Sequence, residues 1–262
     1  MVVRELAPGV SSVGAIDWER RLFDSLIPLP DGTSYNSYLV RGSDKTALID
    51  TVDPLMEFEL VKNLVEAKTE RVDYLVVNHA EQDHSGTVPM IAELFPAAKV
   101  VCSEKCKEIL PALLDIDPER IIAVKDGDTM DLGGKTLEFI MAPWVHWPET
   151  MLTYLKEDHI LFSCDLFGSH YAMSELFSDG AAIRETASKR YFAEIMMPFR
   201  GSIRTYLDRI SAMSPEVIAP SHGPCLKPAA AIIDAYRSWT SDEVKNEVVI
   251  LYVSMHGSTE KM

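Results

Sequence analysis

The sequence of 262 residues predicts an α/β domain, and three observations carry the prediction. Short β-branched and aromatic runs recur along most of the chain, turn residues punctuate them, and helical patterns fall between them. In chain order, residues 35–40, 46–50, 74–77, 99–102, 136–140 and 160–163 read as strands. Asp31-Gly32, Asp126-Gly127-Asp128 and Gly133-Gly134 supply turn chemistry between them. Residues 55–67, 88–94 and 203–213 carry apolar spacing that suits one face of a helix. No internal repeat and no low-complexity tract is visible.

The character changes near residue 238. Residues 238–247 are polar and read as a linker. Val248-Val249-Ile250-Leu251-Tyr252-Val253 is a continuous apolar run, the pattern of a buried parallel strand. Ser254-Met255-His256-Gly257-Ser258-Thr259-Glu260 follows it. A strand, a small-residue turn and a helix start form a phosphate-cradling arrangement. The expected division is therefore a first domain over 1–240, and over 241–262 a linker with the start of an incomplete second unit.

Composition narrows the function classes. Apolar residues make up 47% and charged residues 25%, ordinary proportions for a soluble protein. No stretch of eighteen apolar residues occurs, so no transmembrane helix is expected. The N-terminus lacks a basic segment followed by an apolar core, so no signal peptide is expected either, and the expected location is cytoplasmic. A net charge of -15 argues against nucleic acid and anionic membranes as partners. The four cysteines, Cys102, Cys106, Cys164 and Cys225, form no CxxC pair and read as buried thiols in a reducing compartment.

The chemistry concentrates in Asn78-His79-Ala80-Glu81-Gln82-Asp83-His84-Ser85-Gly86. The segment follows the apolar run Leu75-Val76-Val77, so it lies at the carboxyl end of a strand, where α/β folds place their sites. Four metal-ligand side chains in six residues are rare in a surface loop, although a solvated turn capping the next helix has the same composition. Three more candidates repeat the placement. His146 follows the strand at 136–140, Asp165 follows the strand at 160–163, and His222 follows Val217-Ile218-Ala219-Pro220. Each is weak alone. The ordered set, with 61, 18 and 56 intervening residues after His84, is specific.

That order resembles the metallo-β-lactamase superfamily across residues 1–240, which implies a four-layer αββα sandwich. Most zinc hydrolases of that superfamily carry His at the second position of the loop; here Glu81 stands there. The substitution, the tryptophans flanking His146 and the flavodoxin-like start at Val248 resemble the flavodiiron proteins, also called A-type flavoproteins, which include rubredoxin:oxygen oxidoreductases. The resemblance implies two non-haem irons. His79, Glu81 and His146 would hold one; Asp83, His84 and His222 would hold the other; Asp165 would bridge. His84 is the least secure, since some members leave that position unbonded.

An acidic Glu81 in place of a neutral imidazole favours the higher oxidation state of a hard, redox-active cation, which zinc cannot exploit. The resemblance further implies an oxidoreductase that reduces O2 to water, NO to N2O, or both. Its electrons would come through FMN held by a flavodoxin-like domain. Ser254, His256, Gly257, Ser258 and Thr259 match the loop around the FMN phosphate, with His256 where an aromatic residue is usual. A donor such as rubredoxin or reduced F420 and a head-to-tail homodimer follow from the same resemblance. Two other readings remain open: a dinuclear zinc hydrolase, and a non-catalytic di-iron O2 sensor.

Lesser expectations concern neighbours of the loop. Asp50 at a strand end can orient the His79 loop or merely turn the chain. His170 can line the pocket or pack. Trp144 and Trp147 can wall the site or belong to the core. His159 reads as a hairpin residue with no chemistry.

Overall fold

The computed structural model describes residues 3–178, 184–244, 246–248 and 250–262, and of 184 and 185 the backbone alone. Two seven-stranded sheets form the centre. The first runs, in chain order, Arg4–Ala7 (β1), Val10–Ser12 (β2), Tyr38–Arg41 (β3), Thr46–Ile49 (β4), Tyr74–Val76 (β5), Lys99–Ser103 (β6) and Ile121–Val124 (β7). β1 to β4 pair antiparallel, and β4 to β7 pair parallel.

The second sheet contains Thr129–Asp131 (β8), Thr136–Met141 (β9), Met151–Leu155 (β10), Ile160–Cys164 (β11), Phe177–Ser178 (β12), Val217–Pro220 (β13) and Cys225–Leu226 (β14). Its spatial order is β8-β9-β10-β11-β13-β14-β12, with β11 parallel to β13. Helices Glu57–Glu66 (α1), Val88–Leu94 (α2) and Glu104–Leu113 (α3) belong to the first half; Arg200–Ala212 (α4) and Ala229–Trp239 (α5) belong to the second.

Side-chain alternation builds the layers. Along β4 and β5, Ala47, Ile49 and Val76 face the second sheet and meet Phe139 and Phe162. Leu48 and Leu75 face the other way and pack with Leu60 and Leu64 of α1 and Ile91 of α2. The outer face of the second sheet buries Leu152, Leu161 and Ile218 against Ile203 and Leu207 of α4 and Ile232 and Tyr236 of α5. The result is the αββα sandwich that the resemblance implies. Each buried Leu or Ile contributes about 1.5–3 kcal/mol relative to exposure.

Two local structures depart from the sequence reading. Residues 35–40 form two strands, not one: Thr33–Tyr35 pairs with Ala15–Asp17 in a small separate sheet, and β3 begins at Tyr38. Asn36 makes the break. Its N–H donates to the Ser221 carbonyl at 2.8 Å, and its amide donates to Pro220 and Gly223 at 2.8 and 2.7 Å. Those long-range bonds outweigh the strand preference of the run. The helix expected at 55–67 is a short 3-10 turn, Pro54–Met56, leading into α1, because Asp53 caps the Leu55 N–H at 2.9 Å.

The expected strand at 248–253 is not formed among the described residues. Val248, Ile250, Leu251 and Val253 are all at least 77% exposed, and Val249 lies outside the described residues. A parallel strand needs a neighbour, and no described strand lies beside this run. Met255 to Gly257 form a bend in which Met255 and His256 are exposed and Gly257 is half-buried, Ser254 before it is half-buried, and Thr259–Lys261 is a short 3-10 turn. No helix among the described residues is long and apolar enough to cross a membrane.

Candidate metal centre

The rim where β5, β11 and β13 end gathers all seven candidate ligands. The first loop leaves β5, passes His79 and Glu81, and enters a single helical turn, Gln82–Ser85, that carries Asp83 and His84. Backbone and side-chain bonds pin it. Thr51 donates through its hydroxyl to the His84 carbonyl at 2.6 Å, and Ser85 donates to the Ala80 carbonyl at 2.7 Å. Asp50 sits in the left-handed region, with φ of 53°, at the end of β4. It accepts from the Asn78 N–H at 2.8 Å and from the Asn78 amide at 2.9 Å, so it orients the residue before His79.

The candidates fall into two groups. In the first, donor atoms of His79, Glu81, His146 and Asp165 lie within 4.8 Å of one another. Nε2 of His79 and of His146 lie 3.1 and 3.3 Å from Oε2 of Glu81. In the second, Asp83, His84 and His222 meet the same criterion. Nε2 of His84 is 3.3 Å from Oδ1 of Asp83, and Nε2 of His222 is 3.1 Å from Oδ2.

Asp165 touches both groups with different oxygens. Oδ2 lies 3.2 Å from His146 and 3.6 Å from His79. Oδ1 lies 3.0 Å from His84 and 3.4 Å from His222. His84 points into the second group, so the side chain with the least secure expectation is placed with the rest.

Electrostatics tie the set together. Burial opposes charge on the imidazoles, but their carboxylate neighbours outweigh it. His79 is pushed up to about 10 against burial by Glu149 and Glu81. His84 and His146 also reach about 10, His84 through Asp165 and Asp83, His146 through Asp165 and Glu81. Burial raises Asp165, yet His84 and His146 hold it well below the usual carboxylate range.

A metal pair fits these residues on one observation. Both oxygens of Asp83, Oδ2 of Asp165 and Nδ1 of His84 are buried and make no well-aligned hydrogen bond; the imidazole nitrogens beside the carboxylate oxygens stand 3.1–3.6 Å away, in ion-pair range alone. Unpaired buried carboxylate oxygens are costly unless a cation meets them.

Several contributors were not legible in the sequence. Glu149, 1% exposed, accepts from His79 Nδ1 at 2.6 Å and from the Ala80 N–H at 3.0 Å. Its proximity to a predicted ligand in Trp144-Val145-His146-Trp147-Pro148-Glu149 was the only available signal. Tyr191 donates its hydroxyl to Asp165 Oδ1 at 3.0 Å. The Ser34 carbonyl accepts from His222 Nδ1 at 2.7 Å, which fixes that ring's tautomer.

The lesser expectations resolve as follows. His170 packs its ring 4.8 Å from His222 and 4.9 Å from Tyr191, and bonds Thr33 through Nδ1 at 2.9 Å. Burial, then His222, holds it well below its usual value, so it is neutral. Trp147 stands edge-on to His79 with centroids 4.9 Å apart, whereas Trp144 is 54% exposed. His159 sits in a turn in the left-handed region and meets the Tyr154 hydroxyl at 2.9 Å, away from the centre.

The FMN loop expected at Ser254, His256, Gly257, Ser258 and Thr259 offers hydroxyls and an open Gly257 with φ of 72°.

Comparison with known proteins agrees with this geometry. The family described as ODP family beta lactamase matches residues 33–223. The chain is 41% identical over 265 residues to the nitric oxide reductase of Moorella thermoacetica, covering 98% of this chain and 66% of that protein. It is 36% identical over 270 residues to the coenzyme F420H2 oxidase of Methanothermobacter marburgensis, covering 99% and 66%. The structure of rubredoxin oxygen:oxidoreductase from Desulfovibrio gigas matches with a TM-score of 0.92 at 32% identity, covering 99% of this chain and 66% of that one. The chain thus spans slightly less than two thirds of the length of these relatives. Matched family, shared αββα sandwich and convergent ligand rim together establish that this chain belongs to the flavodiiron proteins, through their ODP-type β-lactamase-like domain.

Proposed function

We propose that this chain is the iron-binding part of an enzyme that reduces O2 to water, NO to N2O, or both. His79, Glu81 and His146 would hold one iron, and Asp83, His84 and His222 the other, with Asp165 between them. The carrying observation is the divided carboxylate of Asp165, whose two oxygens face different donor groups. The irons, when bound, supply the electrons and the two adjacent sites at which a diatomic is reduced.

The chain's own residues do the rest. Glu149 keeps His79 in the tautomer that presents Nε2 to the centre. The Ser34 carbonyl does the same for His222. Tyr191 holds Asp165 by one hydrogen bond. Trp147 and the neutral His170 cover the rings and limit water on that side.

Electrons would arrive from FMN in a flavodoxin-like domain that residues 241–262 begin, within a head-to-tail dimer. Rubredoxin or reduced F420 would act as donor, and the setting would be cytoplasmic. The names of the relatives from Desulfovibrio gigas and Methanothermobacter marburgensis support these donors.

The test is metal analysis of protein produced with iron and zinc both present, followed by gas consumption under a chemical reductant. Two irons per chain with rapid loss of O2 or NO is expected. Stoichiometric zinc with hydrolytic activity would overturn the reading in favour of a hydrolase. A lasting O2 adduct without turnover would favour a sensor.

A further inference from the structure

Cys164 closes β11 one residue before Asp165. Alternation along a strand would send adjacent side chains to opposite faces. Here the strand ends in a left-handed residue: Cys164 has φ of 49°, an uncommon conformation for any side chain but glycine. That twist leaves the Cys164 sulfur on the same side as its neighbour. Donor atoms of His84, Cys164 and Asp165 all lie within 4.8 Å of one another, and all three side chains are buried.

Cys164 is the only thiol in any such cluster among the described residues. Cys225 instead faces the Tyr38 hydroxyl at 3.6 Å, and Cys102 and Cys106 belong to the core behind the first sheet. Neither donor group assigned to iron contains sulfur.

We propose that Cys164, His84 and Asp165 form an alternative site for a thiophilic divalent cation of the zinc and cadmium type, exclusive with the iron pair. Competition with iron rests on the function proposed above; the cation site itself does not. A thiolate, an imidazole and a carboxylate match the ligand chemistry of zinc, whose bonds to sulfur and nitrogen are about 2.3 and 2.1 Å. Zinc also outranks ferrous iron in affinity for such donors. Filling the site removes His84 and Asp165 from the iron pair, so the ion would block loading of both irons.

The step balances simply. The thiol loses its proton to solvent, and its sulfur bonds the cation without any change of oxidation state.

Cadmium chloride added to the full, metal-free chain is the probe. A thiolate-to-cadmium ultraviolet band rising to one equivalent is expected, and it should be lost in Cys164→Ser. That variant should still load two irons, with the same visible spectrum as the parent. X-ray absorption on a cadmium-loaded Cys102→Ala/Cys106→Ala protein should show one sulfur bonded to the metal. A band unchanged in Cys164→Ser would overturn the proposal. So would a cadmium ion bonded only to nitrogen and oxygen, a result that stands even if Cys164→Ser does not fold. Sulfur-bound cadmium in a protein that never holds iron would retain this site and remove the proposed reductase function.

Discussion

At the residue scale, the contacts behind the ligands decide how well the ligands work. Glu149 grips His79 Nδ1 at 2.6 Å and the Ala80 N–H at 3.0 Å with one oxygen, and so fixes both the ring and the loop. Glu149→Gln keeps the size and loses the charge. Iron affinity should fall about tenfold, at the low end for such partners, in competition with a chelator. Unchanged affinity would show that the contact only packs. The seven ligand candidates were legible because each stands just past an apolar run, in an order too specific for chance. Glu149 was not, because its partner is 70 residues away and only the approach of two sheets joins them. Tyr191 was hidden for the same reason, since nothing local ties it to Asp165, 26 residues earlier.

At the element scale, the turns that join the sheets carry more than their composition suggests. The turn after β3 lies against the turn after β8: the Asp44 and Lys45 N–H groups both donate to the Leu132 carbonyl at 3.0 Å, and Ser43 donates to Gly133 at 2.8 Å. A Cβ on Gly42 would stand 1.9 Å from the Leu132 oxygen, which is backbone and cannot swing aside. Gly42→Ala should therefore destabilise the fold by about 2–3 kcal/mol, read from chemical denaturation. Iron content of the folded fraction should not change, since the turn is remote from the ligand rim. The Gly133-Gly134 turn was legible by type; its contact with Gly42 was not, because turn chemistry specifies local geometry and not the neighbour. Residues 35–40 show the same limit. Their strand preference is real, yet the Asn36 side chain commits the backbone to Pro220 and Gly223 and splits the run in two.

At the scale of the whole molecule, the protein stripped of metal becomes a titrating system. His79, His84 and His146 are raised from 6.5 to about 10. Groups raised on folding give stability that is complete below pH 6.5 and is lost as pH climbs through about 10. Glu81 and Asp165 are lowered from 4.5 and 3.8, so their contribution is complete above those values and fades as pH falls through the lowered ones. The metal-free protein should thus melt at progressively lower temperature from pH 6.5 to 10, and the iron-loaded protein much less so. Loading iron at pH 7.5 should release about three protons per chain, measurable by calorimetry in buffers of different ionisation enthalpy. A release near zero would show that the three imidazoles are already neutral before metal arrives. The αββα layering itself was legible only through the family resemblance. Alternation fixed which residues are inward, but not that two sheets stack between two helical layers.

Both donor groups draw residues from both sheets: His79, Glu81, Asp83 and His84 from the first, His146, Asp165 and His222 from the second. Each bound ion would then act as a rivet through the two leaves of the sandwich. Iron supply would govern how long a molecule survives as well as how fast it turns over. In iron-starved cells the leaves would slip apart more often, and proteases would clear the empty copies first.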